Sequence, residues 1–157
     1  RDIIEKMVAN FERKVALLYQ NEIALQKKSL FDVITVASLI EEEVKSDEDR
    51  ALISGILWKR LEAGIPLQVD ATLVYIRGHN TTPLSAADKS ANSPFNTYKY
   101  RGLPKGPISN PGLASIRAAL YTKASPYLYY LSANNDGRTV FSQTLEEHNA
   151  AKQKYLR

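Results

Sequence analysis

Three glutamates in a row, Glu41, Glu42 and Glu43, stand directly behind an apolar run in ASLIEEEV, residues 37–44. Carboxyl groups at the edge of an apolar surface have one chemistry within easy reach. Desolvation disfavours the ionised form and raises the pKa, which turns a carboxylate into a proton donor near neutral pH. A helical wheel at about 100° per residue, with Val36 as zero, separates the three. Val36, Ile40, Val33, Val44 and Ala37 span roughly 0–100°, the main apolar stripe. Glu42 falls near 240°, beside Thr35 and Ser38, and is the solvated one. Glu41, at about 140°, lies between Ala37 and Ile34 on the rim of the apolar sector. Glu43, at about 340°, lies between Leu39 and Val36 and is also partly apolar. The two project about 160° apart and so do not form a pair within one helix. The plainer reading, that all three dress a solvated helix end, stays open at this level.

Other chemistries find less material. The sequence of 157 residues contains no cysteine, which removes disulfides and thiolate nucleophiles. His79 and His148 are far apart and show no metal-ligand spacing, so no metal centre or other cofactor is expected. Hydrophobic residues make up 44% and charged residues 24%, an ordinary globular balance, and no apolar run is long enough to span a membrane. The net charge of +4 favours a polyanionic neighbour. Its basic residues are scattered, with no basic–aromatic cluster to suggest nucleic acid. The N-terminus has no signal-like character and begins inside a helical pattern, which suggests a piece of a longer protein.

The elements that must position these carboxylates can be read from periodicity and punctuation. Ile3, Ile4, Met7, Val8, Phe11, Val15 and Leu18 recur at helical spacing and predict a helix over 2–19, followed by a helix end and connection over 20–29. Residues 30–45 form a second helix, apolar on most sides and therefore central. Ser46 caps a third, with Asp47, Glu48 and Asp49 in its first turn and Gly64 at its end. Residues 30–64 are thus a helical hairpin. Residues 71–76 fit helix or strand, and Asn110–Pro111 reads as N-cap and first residue of a helix reaching about Tyr121. PYLYYLSA, the turn NNDG and RTVFS make a β-hairpin, and Thr144 with Glu147 forms a capping box that opens a last helix. The class is α+β, with helices first, then loops, a small antiparallel β element and a C-terminal helix.

Four blocks then carry a resemblance. ASLIEEE, RALISGILWKRLEAGIPLQVDATLVY, SPFNTYKYRGLPKGPISNPGLASIRAAL and PYLYYLSANNDGRTVFSQTLEEHN resemble, in order, the YceG-like (MltG) family of bacterial endolytic murein transglycosylases. The resemblance covers residues 30–157, the expected catalytic domain on a lysozyme-like helical core, with 1–29 as a helical lead-in. It implies cleavage of peptidoglycan glycan strands between N-acetylmuramic acid and N-acetylglucosamine. A single glutamate would protonate the leaving oxygen, and the sugar's own C6 hydroxyl would close onto the anomeric carbon as 1,6-anhydromuramic acid. One carboxyl suffices for such chemistry because it can donate first and later accept the hydroxyl proton, where ordinary glycosidases need two.

By the family's motif the catalytic residue is the first glutamate after the apolar pair, Glu41, while Glu43 matches a second family glutamate of less clear role. Polar groups to hold the sugar and steady the developing charge are sought in Glu43 itself, in Gln68, Asp70, Thr72 and Tyr75 and in Asn96, Thr97 and Tyr98. Each also has a structural reading: Asp70 and Thr72 as caps, Asn96 as a turn former, Tyr75 as a core aromatic, and Tyr98 and Tyr100, which alternate along a possible strand, as core packing. RGLPKGPISNPG reads as a rigid groove wall carrying Arg101 and Lys105, and His148 as a structural histidine holding the last helix. HNTTPLSAADKSANSP is the stretch where family members vary in length. The resemblance further implies a place on the extracytoplasmic face of the bacterial membrane through an N-terminal anchor, with peptidoglycan synthases as candidate partners. A water-using muramidase with Asp70 as second carboxylate, and a glycan-binding module without turnover, are the competing expectations.

Overall fold

Ser29 accepts the Asp32 amide hydrogen at 3.0 Å and opens the central helix, α3, Leu30–Glu43. This places it third in the order α1 Asp2–Phe11, α2 Gln20–Leu25, α3, α4 Asp47–Glu62, α5 Asp70–Arg77, α6 Ala86–Ser90, α7 Leu113–Leu120, β1 Tyr129–Ser132, β2 Thr139–Ser142 and α8 Leu145–Tyr155. The computed structural model describes residues 2–79, 82–134 and 136–156. Asn135 of the expected NNDG turn, and Asn80 and Thr81 of the length-variable stretch, lie outside them.

The core is built around α3, whose Val33, Val36, Ala37, Leu39 and Ile40 are all fully buried. Ile53 and Leu57 of α4, Ile116 and Ala119 of α7, and Leu67 and Val69 ahead of α5 close around them. Even Thr35 and Ser38, of the polar sector of α3, are fully buried. Ser38 accepts the Ile108 amide hydrogen at 3.0 Å, and its carbonyl accepts the Ser109 hydroxyl at 3.0 Å, so the segment before α7 hangs on this helix. Trp58 of α4 donates its indole N–H to the Ala119 carbonyl at 2.9 Å and fixes α4 against α7.

Ser46 caps α4 as expected, accepting from the Asp49 amide at 3.1 Å, and Gly64 takes the left-handed conformation just past its end, at φ 64°. Gly55, in mid-helix, has a different reason. A Cβ there would stand 2.6 Å from the Lys123 carbonyl oxygen, a backbone atom held in turn by the bond from Lys123 N to Ala51 O. Gly55→Ala should therefore lower stability by about 1–2 kcal/mol in urea unfolding, the clash outweighing a helix-propensity gain of about 1 kcal/mol.

The β-hairpin forms in the expected place, antiparallel with Tyr130 opposite Phe141. Alternation sends Tyr129 to one face, where it stacks on His148 of α8 at 5.2 Å, and Tyr130 to the other, toward α3. The Thr144–Glu147 capping box opens α8. The short apolar run at 71–76 is helical, within α5, and Gly78 ends that helix in the left-handed region at φ 79°.

Three expectations need correction. The predicted helix over 2–19 breaks into α1 and a π-helical turn, Glu12–Ala16, and its apolar residues do not all reach the core. Val15 is buried, but Ile3, Ile4, Met7 and Val8 are exposed, because the packed body begins only at Val15. Second, α7 starts at Leu113, not at Pro111, for a reason given below. Third, Tyr98 and Tyr100 lie in irregular turns, not on a strand.

Candidate active site

The last turn of α3 sends its carboxylates to different neighbours, as the wheel requires. Glu42 is exposed. Glu41 points to the start of α7, where its Oε2 accepts the Ser115 hydroxyl at 2.6 Å and the Gly112 amide hydrogen at 3.1 Å. Here lies the correction to α7. Gly112 has no side chain to cap with, and a carboxylate from another helix takes the anionic position at the N-terminus that Asn110 was expected to serve. The rim position of Glu41 was expected to push its pKa up. Instead the Ser115 hydroxyl, with help from Gly112 N–H and the charge of Arg50, outweighs desolvation and holds it below the ordinary carboxylate range.

Glu43 has the opposite environment. Part of the residue remains accessible, but its carboxyl is densely surrounded by protein atoms, and burial pushes it up to about 7. Two donors oppose that rise, the Tyr130 hydroxyl and the Ala71 backbone N–H, while the negative charges of Asp70 and Glu42 reinforce it. The buried Tyr130 hydroxyl is itself raised well above its usual value, chiefly by burial and by Glu43, and so stays a donor. Desolvation wins over the hydrogen bonds. Glu43 is thus the carboxyl of this helix end that is half protonated near neutral pH.

It also faces space. A cleft of about 430 Å³ is lined by Glu42, Glu43, Asp70, Ala71 and Tyr75, with Ile108 of the segment before α7 and Ser132 of β1 completing it. The first turn of α5 makes two of these contributions, since Asp70 presents its carboxyl and Ala71 its N–H toward Glu43. Asp70 in turn accepts the Tyr98 hydroxyl. Burial, the bond to Asp70 and the charges of Asp70 and Glu43 all push the Tyr98 pKa up, leaving it protonated. Tyr75 stands on the rim, 46% exposed, its ring tilted against Phe95 at 4.9 Å. The segment RGLPKGPISNPG contributes its Ile108 as groove wall, in agreement with its expected part. Its Arg101 and Lys105 are exposed.

Of the expected sugar-holding residues, Glu43, Asp70 and Tyr75 line the cleft and Tyr98 stands behind Asp70. Four others do not reach it. Thr72, Asn96 and Thr97 are buried, and their polar atoms are consumed inside the protein. Thr97 Oγ1 accepts the Val69 N–H at 3.0 Å and is bonded to the Thr72 hydroxyl, which donates to Val69 O at 2.7 Å. The Asn96 side chain donates to Lys89 O and Ala91 O and accepts from the amides of Tyr98 and Lys99. Gln68, at φ 56°, turns its Oε1 to Arg60 Nη2 at 2.9 Å. These residues shape the loop that delivers Asp70 and Tyr98. Thr72, Asn96 and Thr97 do so from inside, Gln68 from an exposed position.

Sequence reading missed Tyr130, Ala71, Ser115 and Arg60. Strand alternation after Tyr129 was the available signal for Tyr130, while Ser115, Ala71 and Arg60 act through contacts that no local pattern announces. Arg60 is buried against the Tyr129 ring, within reach of Tyr98 and Tyr130, and burial lowers its pKa. His148 is buried too, and burial, with Lys152 and Arg60 nearby, keeps it toward the neutral form. Its packing on Tyr129 joins α8 to β1.

The balance at Glu43 gives a test. Tyr130→Phe removes the hydroxyl that stabilises the ionised form, so the carboxyl should titrate higher than in the parent, by about one unit or less, in a carbon-13 NMR titration. An unchanged titration would show that the hydroxyl does not bear on Glu43.

Comparison with known proteins gives the setting. An endolytic murein transglycosylase of Bacillus subtilis (strain 168) is 41% identical over 155 residues, covering 99% of this chain and 42% of that protein. One of Streptococcus pneumoniae (strain ATCC BAA-255 / R6) is 30% identical over 151 residues, 93% of this chain and 27% of that protein. A crystal structure of a yceG-like protein from Listeria monocytogenes superposes with a TM-score of 0.89 at 41% identity, over 96% of this chain and 49% of that one. The chain therefore spans less than half the length of each. The model of the YceG-like family matches residues 1–154, and with these relatives it settles the lineage: the chain belongs to the YceG-like family.

Proposed function

We propose that this chain is the catalytic part of a peptidoglycan lytic transglycosylase that cuts glycan strands internally, at the bond between N-acetylmuramic acid and N-acetylglucosamine, with Glu43 rather than Glu41 as its acid and base. The observation that carries the assignment is the Glu43 carboxyl raised to about 7 on the wall of an open cleft. A donor must hold its proton at working pH and reach the leaving oxygen. Glu41 has neither advantage, being turned to the start of α7 with its pKa held down.

In the reaction, Glu43 gives its proton to the glycosidic oxygen as the bond from the muramic acid C1 breaks, and N-acetylglucosamine leaves with a free hydroxyl. The C6 hydroxyl of the muramic acid then bonds to C1 and returns its proton to the Glu43 carboxylate. No water is consumed and the glutamate ends as it began. Tyr130 O–H and Ala71 N–H, already aimed at the carboxyl, stabilise the charge it carries between the two steps. Such an enzyme would work at the extracytoplasmic face of the membrane beside the synthases that lay down its substrate, held there by a part of the protein outside these residues.

Incubation with purified sacculi and mass spectrometry of the released muropeptides tests the reading. Anhydro ends are expected. Products about 18 Da heavier, with reducing ends, would mean that a carboxylate activates water and the chain is a muramidase. No soluble product, with retained binding, would mean a glycan-binding module.

A further inference from the structure

A lone acid–base glutamate leaves one demand unmet. As the glycosidic bond breaks, positive charge builds on the sugar ring, and the donor gains its own negative charge only as the proton leaves it. Two further carboxyls, Glu42 and Asp70, line the cleft beside Glu43, and of the two it is Asp70 that the fold fixes. Asp70 opens α5, lines the same cleft, and accepts the hydroxyl of Tyr98, whose backbone is pinned through its amide by the buried Asn96 side chain at 2.9 Å. The loop carrying Tyr98 is locked to the approach to α5 by the Thr97–Thr72 pair and by the bond from Gln68 N to Thr97 O at 3.0 Å.

We propose that Asp70, clamped by Tyr98, is a catalytic carboxylate that stabilises the positive charge developing on the muramic acid ring, and that Tyr98 is its positioning residue. This rests on the transglycosylase reading above. Only electrostatics is asked of Asp70: no bond to it forms, and no proton moves through it. Its negative charge has a second effect on the same reaction, because it opposes ionisation of Glu43 and so helps keep the donor protonated. Charge on Asp70 thus favours the protonated donor before bond cleavage and the cationic ring during it. Asp70 is exposed to the cleft, and a preorganised charge there acts most strongly once bound substrate displaces the water around it. Tyr98 itself is half-buried, with Lys89 over its ring at 5.2 Å, so the hydroxyl is not free to swing away.

The charged and titratable groups around Glu43 are Glu42 of α3, Asp70 of α5, Tyr98 of the loop, Tyr130 of β1 and Arg60 of α4 behind the two tyrosines. Of these, Asp70 and Glu42 raise the Glu43 pKa, and Asp70 is the larger influence.

Asp70→Asn and Tyr98→Phe, compared with the parent over a pH series on purified glycan strands, test the proposal. Asp70→Asn is expected to lower kcat about 10²–10³-fold with a smaller change in KM, as for loss of a preorganised charge. The alkaline limb of its pH profile should move to lower pH, because Glu43 loses the charge that kept it protonated. Tyr98→Phe should lower kcat less and leave the limb nearer its parental position, since the Asp70 charge remains but is no longer held. A carbon-13 titration of Glu43 in Asp70→Asn reads the same coupling without turnover. A kcat within a few-fold of the parent, or an unmoved limb and an unmoved titration, would overturn the proposal. Failure of the underlying reading looks different: Glu43→Gln would then keep full activity, whereas failure of this inference leaves Glu43→Gln dead and Asp70→Asn active.

Discussion

Glu43→Gln is expected to abolish release of anhydromuropeptides, with a loss of about 10³-fold or more in kcat, and at the same time to make the protein more stable in mildly alkaline solution. Both effects follow from one property. The amide cannot donate and recover a proton, so the reaction stops. The parent carboxyl titrates at about 7 in the folded chain against 4.5 for the model value, so folding favours its protonated form. Below pH 4.5 both states are protonated and nothing is lost; as pH rises through 7 the folded state must carry a dehydrated charge. Full ionisation costs about 3 kcal/mol at one pKa unit per 1.4 kcal/mol, an upper bound because part of the residue stays accessible. Thermal melts of parent and variant should therefore diverge at about pH 8, the variant higher by several degrees, and converge at about pH 4. Parallel melting curves at both would remove the claim that this carboxyl is buried at a cost. Retained turnover would remove its catalytic role.

Glu41→Ala should show the reverse pattern. Its carboxylate ties the end of α3 to the start of α7 through Ser115 and Gly112, and Ser115 is fully buried. Losing a charged acceptor at a helix N-terminus, and leaving a buried hydroxyl unpaired, should cost about 2–4 kcal/mol in urea unfolding at neutral pH. Glu41 has its folded pKa depressed, so the stability it contributes is present above 4.5 and disappears as pH falls through the folded value. The penalty of the substitution should shrink in acid, whereas the effect at Glu43 grows in alkali. Turnover per folded molecule should stay within a few-fold of the parent. A stable, fully folded Glu41→Gln protein without activity would reverse the assignment of the two glutamates.

How much of this was written in the sequence differs from element to element, and the difference has a physical origin. The helical hairpin over 30–64, the Ser46 cap, the Gly64 stop and the Thr144–Glu147 box are decided by residues within a turn of one another, and all are present. The start of α7 is decided from another helix, and Asn110–Pro111 therefore misled. At the candidate site, the wheel set both Glu41 and Glu43 beside apolar residues and did not rank them. Rim position alone did not reveal that Ser115 and Gly112 would satisfy one carboxyl while the other met mostly desolvation. Thr72, Asn96 and Thr97 look like ligand groups in sequence because polar side chains are read as solvent-facing by default. Here they brace a loop from within.

The attachment of Ile108 and Ser109 to Ser38 has a mechanical corollary. One jaw of the slot is riveted to the most deeply embedded helix and can yield only by rupturing bonds there. The first turn of α5 is tied to that same helix through the Ala71 N–H and Glu43, and to a loop through Asp70 and Tyr98. The slot is therefore anchored twice on one embedded rod, and little of its lining is left to give. Slow solvent exchange of both the Ile108 and Ala71 amides, set against faster exchange around α6, is the signature that such anchoring would leave.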